Sequence, residues 1–115
     1  LHHIHGAEMA YSLLKEYGYD DDKICLVQQC IQNHRGSIDT KRSSPEERCV
    51  ADADAISHFD NIPSLLYLAY CQKGMGIEDG KEFVKEKLTR SFRKLSAESK
   101  RYYQEKFENA MDVLG

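Results

Sequence analysis

Residues 44–57 read Ser-Pro-Glu-Glu-Arg-Cys-Val-Ala-Asp-Ala-Asp-Ala-Ile-Ser, and their first four positions carry a strong helix start. Ser44 supplies an N-cap oxygen. Pro45 occupies the first helical position, where a missing N–H costs nothing, and Glu47 stands three residues past the cap. The spacing predicts a helix through Ala53 to about Ser57. Two aspartates sit among its alanines, where a carboxylate is costly unless it is paired or bound to a cation.

Outward from this segment the pattern stays helical. On the N-terminal side, Ile4, Ala7, Tyr11 and Leu14 trace one face of a helix that Gly18 should end. Asp20, Asp21 and Asp22 then provide a cap and favourable first-turn charge for a second helix. Its stripe, Ile24, Val27 and Ile31, leads to His34, and Gly36 is the expected stop. Residues 36–43 read as a polar, mobile loop. On the C-terminal side, Asn61-Ile62-Pro63-Ser64 is expected to break the chain before an apolar helix over 65–72. Gly74, Gly76 and Gly80 bracket a predicted loop. Two long amphipathic helices follow, carrying Val84, Leu88, Phe92 and Leu95, then Tyr103, Phe107, Ala110 and Leu114, with Ser96 as the cap between them. Strand alternation and internal repeats are absent from the pattern. The fold class read from the sequence is therefore all-α, a helical bundle.

Composition agrees. The 115 residues suit one domain over 1–115, with motif-bearing helices over 1–72 and a C-terminal helical pair over 79–115. With 41% hydrophobic and 30% charged residues the chain should fold rather than remain disordered. A net charge of -3 gives no global attraction to nucleic acid, which is not an expected partner. The longest apolar run, 62–71, is far below the roughly 20 residues that span a bilayer, so no membrane is expected. The four cysteines, Cys25, Cys30, Cys49 and Cys71, fall in apolar helical stretches without zinc-type spacing. They read as reduced and structural, which favours the cytoplasm. The Leu-His-His-Ile-His opening, lacking Met, reads as that of a truncated or partly processed domain.

Three segments hold residues suited to chemistry: His2-His3-Ile4-His5-Gly6-Ala7 opening a helix, Asn33-His34-Arg35-Gly36 closing one, and Ala51-Asp52-Ala53-Asp54-Ala55 within a third. Imidazole and carboxylate are ligands for a divalent metal, and a bundle can converge them from different helices. His34 prolongs an apolar stripe and should point inward. The plainer reading, a histidine bonded to a carbonyl or capping the helix end, is the one pattern alone favours. Asp52 and Asp54 lie roughly 200° apart around a helix, so both cannot face one site. Asp54, four after Val50, is expected on an apolar face, and Asp52 is then left for a supporting or capping bond. Arg35 could clamp a phosphate in bidentate fashion or lie on the surface at a helix end. His3 and His5 read as exposed first-turn residues, and His58 as packing beneath the third helix. The cluster Lys85, Lys87, Arg90, Arg93 and Lys94, interleaved with Glu82 and Glu86, reads as a solvated face.

In order, these segments resemble the HD superfamily of metal-dependent phosphohydrolases, in particular its small HDIG-type hydrolases. His2 stands four before Gly6-Ala7, His34 ends a helix, and Asp54 closes Ala51-Asp52-Ala53-Asp54. The Ser-Pro-Glu-Glu start and the stretch His58-Phe59-Asp60-Asn61-Ile62-Pro63 also look like that subgroup. The likeness covers roughly 2–70 well and the last helices loosely. It implies an HD-type bundle that is incomplete at its N-terminus, because the His-Asp pair that names the family occurs nowhere in the 115 residues. It further implies hydrolysis of a phosphate ester, such as a nucleotide or related small metabolite, with a divalent ion of Mn, Mg, Fe, Co or Ni. The 115 residues alone are expected to bind metal poorly and to be inactive. By the same resemblance Asp54, His2 and His34 are metal-ligating residues, with His34 and Asp54 catalytic. His2 and His34 match histidines that, in relatives with extended sites, bind a second metal or the substrate phosphate. Arg35 and Lys87 are the substrate-binding candidates, and a homo-oligomer is compatible with the reading. The resemblance leads to one requirement: His2, His34 and Asp54 should reach a common pocket. The missing pair keeps two alternatives open, a non-catalytic HD-like module that binds a nucleotide or a partner protein, and a purely structural bundle.

Overall fold

The computed structural model of the chain describes residues 2–35 and 42–115. Among these residues all regular structure is helical: α1 (His2–Glu16), α2 (Asp21–Gln32), α3 (Pro45–Asp60), α4 (Ile62–Tyr67) with a π-helical extension (Leu68–Gln72), α5 (Ile77–Lys94) and α6 (Ala97–Leu114). The expected all-α class is borne out. The chain divides into two compact units, Leu1–Ala51 and Asp52–Gly115. No helix among the described residues is long and apolar enough to cross a membrane.

In the first unit, α1 ends as its glycine demands. Gly18 has φ +81°, a conformation that a Cβ disfavours. Its N–H donates to the Lys15 carbonyl and that of Tyr19 to the Leu14 carbonyl, both at 3.1 Å, so two orphan carbonyls of the last turn are satisfied. Asp20 caps α2 by accepting from the Lys23 N–H at 2.8 Å. α1 and α2 pack closely where Gly6 faces Ile31 and Gln28 donates to the Ala7 carbonyl at 3.2 Å. The buried residues on these helices are Ala7, Ile24 and Cys30. Val27, expected in the stripe, is 37% exposed, and Ile4 and Tyr11 are exposed as well. α2 also ends earlier than expected: Asn33 is its C-cap, and His34 lies beyond the helix. Gly36, the expected stop, and 36–41 of the expected loop lie outside the described residues.

The start of α3 follows the sequence closely. The Glu47 N–H donates to Ser44 Oγ at 3.1 Å and Ser44 Oγ donates to the Glu47 carboxylate at 3.0 Å. Glu47 is only 2% exposed, and Asn33 Nδ2 donates to its second oxygen at 2.9 Å. That bond, helped by Ser44 and Ser43, holds the carboxyl below its ordinary range despite burial. A reciprocal cap has thus become a clamp between α3 and the end of α2.

The second unit holds an apolar core of Ala55, Phe59, Leu65, Ala69, Val84, Leu88 and Leu95. Tyr103, Phe107, Ala110 and Leu114 of α6 pack on it as the sequence pattern predicts, and Phe92 stacks on Phe107 with ring centroids 4.6 Å apart. Two boundaries differ from expectation. α4 begins at Ile62, because Pro63 falls in the first turn of a helix capped at Asn61, where it does no harm. Gly80 lies inside α5 rather than in a loop. A Cβ there would meet Tyr70 Cε1 at 2.3 Å, and the Tyr70 hydroxyl donates to the Ile77 carbonyl at 3.1 Å. The glycine lets the tyrosine of the π-helical turn lie against the opening of α5. The cysteines are all unbonded thiols, yet only Cys30 is buried; Cys25, Cys49 and Cys71 are exposed rather than packed as small hydrophobes.

Candidate functional site

The sequence candidates fall into two clusters, one in each unit. In the first unit the opening turn of α1 and the residues just past α2 meet. The His2 and His34 rings stand edge to face with centroids 5.7 Å apart, and His2 and His3 are 5.9 Å apart. Arg35 donates to His3 Nδ1 at 3.2 Å, with Nδ1 as the acceptor because a guanidinium only donates. The surroundings of His3 lower its pKa, first by desolvation and then by neighbouring positive charge, Arg35 included. His34 Nδ1 bonds the Ile31 carbonyl, one of the orphan acceptors at the end of α2. A ring that donates through Nδ1 carries its lone pair on Nε2. This is how a metal-ligating histidine is usually oriented, by a carbonyl behind it. The chain leaving α2 is pinned by Arg42, whose guanidinium donates to the Asn33 carbonyl at 2.7 Å and the Arg35 carbonyl at 2.9 Å. His2, His34 and Arg35 therefore lie in one corner, with two partners: His3, which is half-buried rather than exposed as expected, and Arg42, which the sequence reading did not single out. His34 reaches this place as a cap beyond the helix, not as the end of an apolar stripe.

The second cluster lies along α3 and α5. Asp54 Oδ2 and Lys94 Nζ are 2.6 Å apart, and His58 Nδ1 is 2.7 Å from Ser91 Oγ. Lys87, Ser91 and Lys94 share one face of α5 at i, i+4 and i+7. His58 has its pKa lowered chiefly by burial, with Lys87 and Lys94 adding to the effect and Asp54 opposing it. Asp54 does not owe this position to Val50, which is 40% exposed; the buried seam of α3 runs through Ala51, Ala55 and Phe59, with Asp54 at its flank. Asp52 makes the capping bond expected of it. Its carboxylate accepts from the Ser96 N–H at 2.8 Å, from the Ser96 hydroxyl, and from the Ser99 hydroxyl at 2.8 Å. The Asp-Ala-Asp stretch thus divides its labour: one aspartate anchors the start of α6, the other meets a lysine. Lys94, expected on a solvated face, has a side chain only 3% exposed. Lys85 and Arg90 do behave as that face should, pairing with Glu82 and Glu86.

No family model, curated protein or solved structure matches the chain.

The donors can be weighed against a divalent ion on their chemistry. His34 has its tautomer set by a carbonyl, and His2 stands at a ring separation that two imidazoles on one ion could adopt, so this pair fits. Asp54 offers a carboxylate of the right type, already in contact with an ammonium. Among the described residues, no group of three or more His, Cys, Asp or Glu is assembled to hold a metal, so any ion would complete its shell from elsewhere.

Proposed function

We propose that the chain is part of an HD-type, metal-dependent phosphohydrolase of the cytoplasm acting on a phosphate ester, in the class of nucleotides and related small metabolites. The observation that carries this reading is the first-unit corner. There His34 is oriented through Nδ1 by the Ile31 carbonyl, with the His2 ring beside it and Arg35 held at His3. Such a corner suits an anionic phosphate. The imidazoles of His2 and His34 would bind its oxygens or a cation bridging them. The guanidinium of Arg35 would offset charge gathering on the phosphoryl group. In the second unit Asp54 would hold the divalent ion, of Mn, Mg, Fe, Co or Ni, with Lys87 on the substrate side. Such an ion, when bound, acidifies water and neutralises phosphoryl charge. The His-Asp pair, which in the family stands ahead of the helix that opens this chain, would complete the ligand set. The unbonded cysteines accord with a reducing compartment.

The test is phosphate release by the intact protein across a broad phosphoester panel with each of the five ions. Release that depends on the ion, and that is lost in a folded Asp54→Asn variant, supports the assignment. Absence of release with every ion and ester rejects it.

The ion pair between Asp54 and Lys94 favours a second reading. A module whose carboxylate is already neutralised by a lysine could bind a nucleotide through its histidine and arginine corner without hydrolysing it. That module would bind nucleotide equally well in the presence of chelator and release no phosphate.

A further inference from the structure

Asn33, His34 and Arg35 have left α2, so no helical ladder of hydrogen bonds holds their carbonyls. Arg42 takes up that task. It is half-buried, and its guanidinium bonds two neutral acceptors: Nε donates to the Asn33 carbonyl at 2.7 Å and an Nη to the Arg35 carbonyl at 2.9 Å. These two carbonyls flank His34. One planar fork thus fixes the chain on both sides of the histidine, a geometry that the single ammonium of a lysine does not reproduce. A second tie comes from α3. The Asn33 side chain donates at 2.9 Å to Glu47, whose carboxylate is buried at the helix start. The side chains that point from this braced tripeptide are those of the first-unit corner: His34 on the Ile31 carbonyl and Arg35 on His3.

We infer that Arg42 is a positioning residue for this corner: its fork sets the direction in which the His34 ring and the Arg35 guanidinium are presented to a bound phosphate. This rests on the proposed reading of the corner as an anion site. A tripeptide left unbraced would have to be ordered when the anion binds, and each residue ordered costs conformational entropy. Bracing it beforehand removes that cost. Arg42 does this without touching the anion. A role through charge alone is different, because a cation nearby attracts phosphate whatever its donors bond, and a lysine would serve as well.

The experiment is calorimetric titration of the intact protein with inorganic phosphate, alongside ¹⁵N spectra of the histidine rings and thermal melts. The His34 signal is assigned by its loss in His34→Gln. Arg42→Met, which keeps an apolar stem and removes every donor, should weaken phosphate binding by about tenfold. In the same variant His34 should pass from one tautomer, protonated at Nδ1, to a mixture. Arg42→Lys keeps the charge without the fork, and phosphate binding should still be weaker than wild type by several-fold; it keeps the test decisive should Arg42→Met fail to fold. Full recovery of binding by Arg42→Lys would mean that Arg42 acts through charge, and the inference is refuted. Melting temperatures that fall while phosphate affinity and the His34 tautomer stay as in wild type would show a merely structural arginine, and refute it equally. Arg35→Met separates the two levels. If it weakens phosphate binding while the Arg42 variants do not, the corner stands as an anion site and only the positioning role fails. If it leaves phosphate binding unchanged, the reading of the corner is refuted and the inference falls with it.

Discussion

Asp52 and Asp54 are separated by one alanine and do different work, which a helix imposes by turning them to different sides. Asp52 accepts three bonds from Ser96 and Ser99, acting as a cap supplied from α3 to the start of α6. Asp52→Ala should therefore lower stability by about 1 to 2 kcal/mol in a urea titration, the usual loss on removing a cap. The division between the two aspartates is legible from their spacing; the identity of their partners is not, since Ser96 and Lys94 lie some forty positions away and nothing local marks them. His58 makes a second prediction. Its pKa is below the ordinary 6.5, mainly through burial. The unfolded chain therefore binds its proton more readily than the native one. The stability this contributes is complete above the ordinary value and is lost as the pH falls from there through the lowered one. The melting temperature should drop as the pH falls below the ordinary histidine range, and His58→Asn, which keeps a polar group near Ser91 without titrating, should flatten part of that slope. An unaltered slope would mean that His58 is not protonated on unfolding. His3 is shifted in the same direction, so the remaining slope should be shared with it.

Helices and their ends were the most readable part of the chain, because the signals are local. Ser44-Pro45-Glu46-Glu47, Asp20, Gly18 and Ser96 all act at the positions where their chemistry places them. What periodicity alone missed was which apolar residues are buried. Val27 and Val50 satisfy a helical spacing and are exposed, while the small residues Ala51, Ala55 and Ala69 are buried. Small residues give little hydrophobic signal, so such positions are poorly marked in sequence. Gly80 illustrates the same point: read as a loop residue, it is a helical position kept bare for Tyr70. Gly80→Ala should cost about 1 to 3 kcal/mol through the overlap with that ring. Adding Tyr70→Ala should relieve the overlap, giving a measurable non-additivity. The π-helical turn over Leu68–Gln72 had no signature in the local sequence pattern.

For the molecule, the all-α class was legible from composition and pattern. His2, His34 and Arg35 were flagged by residue type and by resemblance. Around them stand the Arg42, His3 and Asn33–Glu47 contacts, which join residues distant in sequence and which local pattern does not announce. If the chain works as a metal-dependent hydrolase, a saturating divalent ion should stabilise the intact protein, by about 2.7 kcal/mol at a hundredfold excess over its dissociation constant. The melting temperature should rise with Mn²⁺ and return with chelator, whereas a purely structural bundle would melt at one temperature throughout. The most direct measurement is the rate of phosphate release from nucleoside monophosphates by intact protein stripped with chelator and then titrated with Mn²⁺. The expected result is no release from stripped protein, recovery with Mn²⁺, and a loss of about a hundredfold or more in a folded Asp54→Asn variant. Release that is indifferent to both Mn²⁺ and Asp54, or no release at any Mn²⁺ concentration, would contradict the account.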